Sequence, residues 1–229
     1  MQNSPAYRVT VADFGGARST RTLTPAEGDI LIDSALCDGD DVVPDADRSG
    51  RITITRTIRG RLSAVDAELR TLRRVVRLEP VCGPRLVTAR QYDDLTLIHD
   101  RDAPGKFPAR LVEGRLRAGF AVISPAATAR LFGRGWLTSH TDGAITVSYA
   151  GRVAMALHEH RNEIVFIGTH RWVQRSDGTG GYEPGMPLYR AGCSCGHRAA
   201  TRFEERACAQ AACRRHRLNH LRAVFGLAP

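Results

Sequence analysis

Apolar and polar residues alternate along Ile52-Thr-Ile-Thr-Arg-Thr-Ile58, and Ile145, Val147 and Tyr149 repeat the pattern behind the turn Thr141-Asp142-Gly143. A period of two marks half-buried strands, and Asp-Gly between extended runs marks a hairpin. Helical spacing appears elsewhere. Thr24-Pro25-Ala-Glu27 and Thr88-Ala-Arg-Gln91 have capping-box form, the first followed by Ile30, Leu31 and Ile32, the second by Tyr92, Leu95, Leu97 and Ile98. Ser124-Pro125 is a strong helix start, with Ala127, Leu131 and Phe132 facing inward and Gly135 closing the helix. Ser148 caps a further helix through Val153, Ala154, Met155 and Leu157. Ser63 to Asp66 has the spacing to cap another through Leu69 and Leu72, and Thr201-Arg-Phe-Glu204 to cap one running to Arg222 without Gly or Pro.

Between these helices the chain reads as loop, strand and turn. Residues 100–113 are polar and carry Pro104, Gly105 and Pro108, so they read as a loop, and Gly114 to Ile123 as a short strand or helix. Val75 to Leu78, Ile164 to Ile167, Trp172-Val173 and Leu188 to Arg190 read as strands, and Ser176 to Gly181 as a flexible turn. The resulting organisation is an α+β chain of four segments: an N-terminal mixed module over 1–80, a helix-rich core over 81–162, a β-ribbon or linker over 163–188, and a C-terminal ribbon with a long helix over 189–229.

The order helix, connection, helix, Gly135-Trp136-Leu137, hairpin, Val147-Ser148-Tyr149-Ala150-Gly151-Arg152 resembles the winged-helix DNA-binding domains of bacterial transcription regulators. The likeness covers residues 86–160 and departs from the pattern in the long loop between the first two helices. It implies a winged helix-turn-helix core in which the helix from Pro125 to Arg134 enters the major groove with Thr128, Arg130 and Arg134 outermost. The hairpin about His140 would be the wing, and Arg152 would meet phosphate. It further implies double-stranded DNA as partner and a homodimer as an available state.

Charge changes this picture at one end. The formal net charge is +9, yet residues 1–80 carry 12 basic and 12 acidic side chains, while residues 189–229 carry 8 and 2. Arg202, Arg206, Arg214, Arg215 and Arg217 make the last helix electropositive, which suits a phosphate backbone. Nearly every cation is arginine, Lys106 being the one lysine, so coding bias contributes to that count.

The same segment holds four of the six cysteines. Cys193-Ser-Cys195-Gly can present two thiolates to one ion, and zinc prefers thiolate and imidazole. His216 and His220, four apart on one helical face, complete a Cys2His2 set. Cys208 and Cys213 are the alternative pair: their distance from Cys195 matches the common finger spacing, but five residues in a helix diverge by about 140°. In an alanine-rich stretch they also read as small buried apolar residues. Four protein ligands make such a zinc site structural. Cys37 and Cys82 read as ordinary thiols.

No nucleophile elbow, phosphate loop or dinucleotide fingerprint is present, and the acidic run Asp38 to Asp47 lacks the calcium-loop order. His158-Glu159-His160 with Glu163 lacks the spacing that puts two imidazoles on one helical face and reads as a polar helix end. No membrane span or signal segment is legible, which predicts a cytoplasmic protein. The expectation is a DNA-binding transcription regulator with a structural zinc module. The alternatives are an interaction or scaffold component of a mobile element or defence system, recognising a protein through the zinc module, and a cryptic nucleic-acid-processing enzyme.

Overall fold

A computed structural model describes residues 7–45, 51–60, 70–81, 86–168 and 170–227. The cap expected at Ser63 to Asp66, and Cys82, lie outside these. Among the described residues fifteen strands form four antiparallel sheets, accompanied by five helices. None of the helices is long and apolar enough to cross a membrane. The chain divides into two compact units, residues 1–158 with 221–229, and residues 159–220.

In the first unit β1 (Tyr7–Ala12), β2 (Arg18–Leu23), β3 (Asp41–Pro44), β4 (Ile52–Gly60) and β5 (Arg70–Pro80) form a sheet in the order β2-β1-β5-β4-β3. Its inner face buries Tyr7, Val9, Ile52, Ile54, Val76 and Leu78 against α1 (Pro25–Cys37). Helix α1 starts as its sequence dictates: Thr24 and Glu27 cap each other's backbone amides and Pro25 occupies the first turn.

Residues 86–158 correct the winged-helix expectation. Helix α2 (Ala89–His99), capped by Thr88 and Gln91, and helix α3 (Pro125–Gly133), capped by Ser124, both form as expected. The segment between them, however, is mostly a meander of β6 (Ala109–Val112), β7 (Arg115–Ala118) and β8 (Ala121–Ile123). Glu113 and Gly114, with φ of 51° and 75°, turn the first reversal. The hairpin β9 (Leu137–Ser139) and β10 (Ala144–Val147) then pairs with β6, giving a five-stranded sheet β8-β7-β6-β10-β9. A meander built into the sheet replaces the tight turn that a helix-turn-helix requires. Ala109, from the supposed loop, and Leu116, Ala118 and Ile123, from the stretch read as a short strand or helix, are buried with Leu95, Ile98 and Leu131.

The two motifs behind the resemblance do meet, as packing. In α4 (Tyr149–Glu159), Ser148 accepts from the Gly151 amide and donates to the Gly135 carbonyl at 2.7 Å, and the Ser148 amide donates to Trp136 O. A Cβ at Gly151 would lie 2.4 Å from the Trp136 carbonyl oxygen and 2.6 Å from Val147. Gly151→Ala gains helix propensity but must displace backbone, so we expect a net loss of roughly 1–3 kcal/mol in urea denaturation.

The second unit contains β11 (Asn162–Ile167), β12 (His170–Gln174), β13 (Gly180–Pro184), β14 (Leu188–Cys193), β15 (Arg198–Phe203) and most of α5 (Arg206–Ala223). Strands β11, β14 and β15 form one sheet and β12 and β13 a separate hairpin. The ribbon expected to arrive at Cys193 is therefore present. The capping box expected at Thr201 is not: Arg202 and Phe203 pair with Arg190 and Tyr189, and the helix begins at Arg206. The ladder takes the backbone groups that a cap at Thr201 would have used.

Candidate metal centre

The second unit's chemistry gathers where β14 runs out. After Cys193 the chain reverses tightly: the Gly196 amide donates to Cys193 O, the Cys193 amide donates to His197 O, and Gly196 takes φ 93°, a conformation that favours glycine. Both thiols emerge from this turn. Ser194 fastens it to the end of α4, its hydroxyl donating to Glu159 O at 2.6 Å and accepting from the Arg161 amide at 2.8 Å, while its amide donates to Arg161 O. These three bonds bring His160, one residue beyond the helix, beside Cys193.

From α5, His216 reaches the same point, and the next residue clamps it: Arg217, 3% exposed, donates from Nε to His160 O at 2.9 Å. One ligand atom from each of His160, Cys193, Cys195 and His216 lies within 4.8 Å of the others. Cys193 Sγ is 3.6 Å from His160 Nδ1, and Cys195 Sγ is 3.3 Å from His216 Nε2. These four residues can hold a metal ion.

Burial holds these donors in their neutral forms. Burial, reinforced by His197, His220 and His160, pushes the His216 pKa down to about 4, and burial, then His220, lowers that of His160. Both imidazoles are held neutral, the form that ligates. Burial and the neighbouring Cys195 raise the Cys193 thiol, which therefore resists ionising until positive charge is supplied. Glu159 Oε2 stands 4.0 Å from His160 Nε2, on the far side of the ring from Cys193, where an orienting carboxylate belongs.

No family model, curated protein or solved structure matches the chain. The site's chemistry therefore rests on its own geometry.

Of the ligands expected from sequence, Cys193, Cys195 and His216 converge. His220 lies outside the group; its ring stacks on His160 with centroids 3.7 Å apart, as His197 stacks on His216 at 4.1 Å. Cys208 is exposed, and Cys213 is buried with its thiol facing Gly192 O at 3.4 Å, a small core residue. The sequence pattern misses His160, because it treats His158 and His160 as two positions of one helix, whereas His160 follows the last helical residue.

The residues expected at DNA separate into two groups. Thr128 is fully buried, on the same helical stripe as Ala127 and Leu131, so it cannot be outermost. Arg152 is half-buried, 3.9 Å over the Tyr149 ring, and Arg217 is buried with its guanidinium on His160 O. Arg134 packs 5.2 Å over Trp136, and His140 bonds Thr146 across the hairpin at 2.8 Å. Arg130, Arg202, Arg206, Arg214 and Arg215 are exposed.

Proposed function

We propose that the second unit is a structural zinc module and that the chain is a nucleic-acid-binding protein whose module meets duplex phosphates. The observation that carries the metal assignment is the spacing of the donors. Tetrahedral zinc with Zn–S of about 2.3 Å and Zn–N of about 2.05 Å has S···N edges near 3.6 Å. The 3.6 Å and 3.3 Å separations match those edges. Two thiolates and two imidazoles fill the coordination sphere, leaving no position for an activated water, so the role is structural and the activity is binding.

The nucleic-acid reading is supported by what the folded module leaves outside. Arg202, Arg206, Arg214 and Arg215 are exposed and make no ion pair among the described residues. Neutralising phosphates releases counterions, so affinity should fall steeply with salt. Fluorescence anisotropy on a random duplex is expected to show binding at 50 mM salt that weakens by orders of magnitude at 200 mM. Arg214→Ala/Arg215→Ala should flatten the slope of log K against log salt by about two, at about 0.9 per phosphate. No binding at low salt overturns this reading.

A second reading, docking of a protein partner, is favoured by Phe166, Trp172 and Met186, each 59–60% exposed in the same unit. It predicts that Phe166→Ser leaves duplex binding unchanged while abolishing a partner contact.

A further inference from the structure

We propose that the outward face of the meander β6 to β8, with the two phenylalanines at its end, binds a single-stranded nucleic acid, its guanidinium groups taking phosphates and its rings stacking on bases. The proposal rests on the functional reading above in taking a nucleic acid as partner, and adds an unpaired strand to the duplex proposed there.

Strand register sorts the meander by face. Leu116 pairs with Ile123 and both are buried, as are Ala109 and Ala118, so Arg110, Val112, Arg115, Arg117 and Val122 point outward. All five are exposed. Arg110 stands directly opposite Arg117, and Arg115 lies two residues before Arg117 on the same face. Strands β6, β7 and β8 contain these three arginines and no acidic residue. Asp142, in the β9–β10 turn, engages Arg110, accepting at its carbonyl at 2.8 Å with its carboxylate 3.8 Å away. The side chains of Arg115 and Arg117 have no ion pair or hydrogen bond among the described residues, although exposed Glu113 lies in the β6–β7 turn. Like charges directly across a ladder repel, and an anion over the Arg110–Arg117 pair removes that cost.

The other half of the site is aromatic. Ala118 pairs with Ala121, which leaves Gly119 and Phe120 as a two-residue turn, and Gly119 takes φ 64° at its first central position. The turn holds Phe120 in water, completely exposed, and Phe107, ahead of β6, is 87% exposed. Phe107 lies three residues before Arg110 and Phe120 three after Arg117, so both stand at the same end of the meander, opposite the Glu113 turn. The Arg101 guanidinium lies against Gly119 and places a further cation beside Phe120. Neither ring belongs to this unit's core.

An unpaired strand supplies both complements, a phosphate for each guanidinium and a π face on each base for a ring. A duplex offers the phosphates alone, because its bases are already stacked, and leaves the rings in water. Arg115, Arg117 and Phe120 follow one another along β7 and its turn over about 16 Å at 3.3 Å per residue. A strand lying along the face meets all three, whereas a lipid surface touching the tip reaches the ring and the nearest cation. A protein or lipid partner would also cover the rings by burial, for which leucine serves as well as phenylalanine.

The test is fluorescence anisotropy of the full chain on a labelled oligothymidine of about 15 nucleotides, with circular dichroism and zinc content checked for each variant. Phe107→Ala/Phe120→Ala should weaken binding at least about tenfold without changing the salt slope, and Phe107→Leu/Phe120→Leu should be as weak. Arg115→Ala/Arg117→Ala should flatten the slope of log K against log salt by about 1.4, at about 0.7 per phosphate. Unchanged binding in both alanine pairs overturns the face, and a leucine pair that binds like the wild type overturns the choice of an unpaired strand. Loss of binding to phosphatidylserine vesicles in variants that keep oligothymidine overturns it in favour of a lipid surface. Duplex binding by the wild type without oligothymidine binding overturns the face and leaves the zinc-module reading standing; oligothymidine binding without duplex binding supports the face and removes the module from the interface.

Discussion

His160→Ala is expected to empty the metal site and unfold the second unit as completely as Cys195→Ser, while His220→Ala keeps one zinc per chain and weakens its hold by about tenfold. The size of the first effect follows from how little else holds this unit. Among the described residues its cluster of buried apolar side chains consists of Ala191, Ala209 and Cys213, with Ile164, Tyr189, Ala199, Phe203 and Ala212 only partly covered. A segment of this length with so small a core does not fold on hydrophobic burial alone. Structural zinc supplies on the order of 10–16 kcal/mol in small finger peptides, far more than those side chains contribute.

Removing one of four ligands forfeits most of that energy, whereas removing a ring stacked on a ligand disturbs orientation and desolvation, an effect of about 10- to 100-fold in affinity. Metal analysis after gel filtration, with far-ultraviolet circular dichroism on addition of chelator, reads both. Loss of zinc in His220→Ala together with retention in His160→Ala would reverse the assignment of the fourth ligand. Cys208→Ser should change neither readout.

The contrast between His160 and His220 marks where the sequence stops being legible. Local signals hold wherever the chain satisfies its own backbone: Thr24 with Glu27, Thr88 with Gln91, Ser124 with Pro125, and Ser148 all start helices. They fail where a distant strand competes for the same groups, as at Thr201, or where a strand is too short for alternation to register, as in β6. His160 belongs to the distant class. It reaches Cys193 through Ser194 and Arg217, partners 33 to 57 residues away, which no spacing rule records. Thr128 is different. Its position three before Leu131 already places it on the inward stripe, and only the analogy with a recognition helix turns it outward.

Asp29 governs the second large effect, the pH dependence of the first unit. Its carboxylate accepts from the Thr138 hydroxyl at 2.9 Å and from the Tyr149 amide at 3.0 Å, so a residue of α1 caps the first turn of α4. The Tyr149 hydroxyl donates to Asp33 at 2.6 Å beside it. Burial pushes the Asp29 pKa up to about 6, against the pull of those two donors and of Arg152. A folded pKa above the unfolded value means that the folded state binds the proton more tightly. The contribution is therefore fully present below about pH 4 and is lost as pH rises through 6. A rise of that size corresponds to about 3 kcal/mol, and partial solvent access reduces this to about 2 kcal/mol.

Asp29→Asn removes the buried charge and keeps a carbonyl for the Tyr149 amide, so it should match or exceed the wild type at pH 7.5. The wild type should gain about 2 kcal/mol on it between pH 7.5 and 4. Asp29→Ala strands the Thr138 hydroxyl, 4% exposed, and the helix amide, and should cost about 2 kcal/mol even at pH 7.5. Urea denaturation followed by Trp136, in a Trp172→Phe background, confines the signal to this unit, since Trp136 is buried there and Trp172 belongs to the other. A flat difference between wild type and Asp29→Asn across that range would mean that the carboxylate titrates alike in the folded and unfolded states, and that the cap of α4 carries no proton-linked energy.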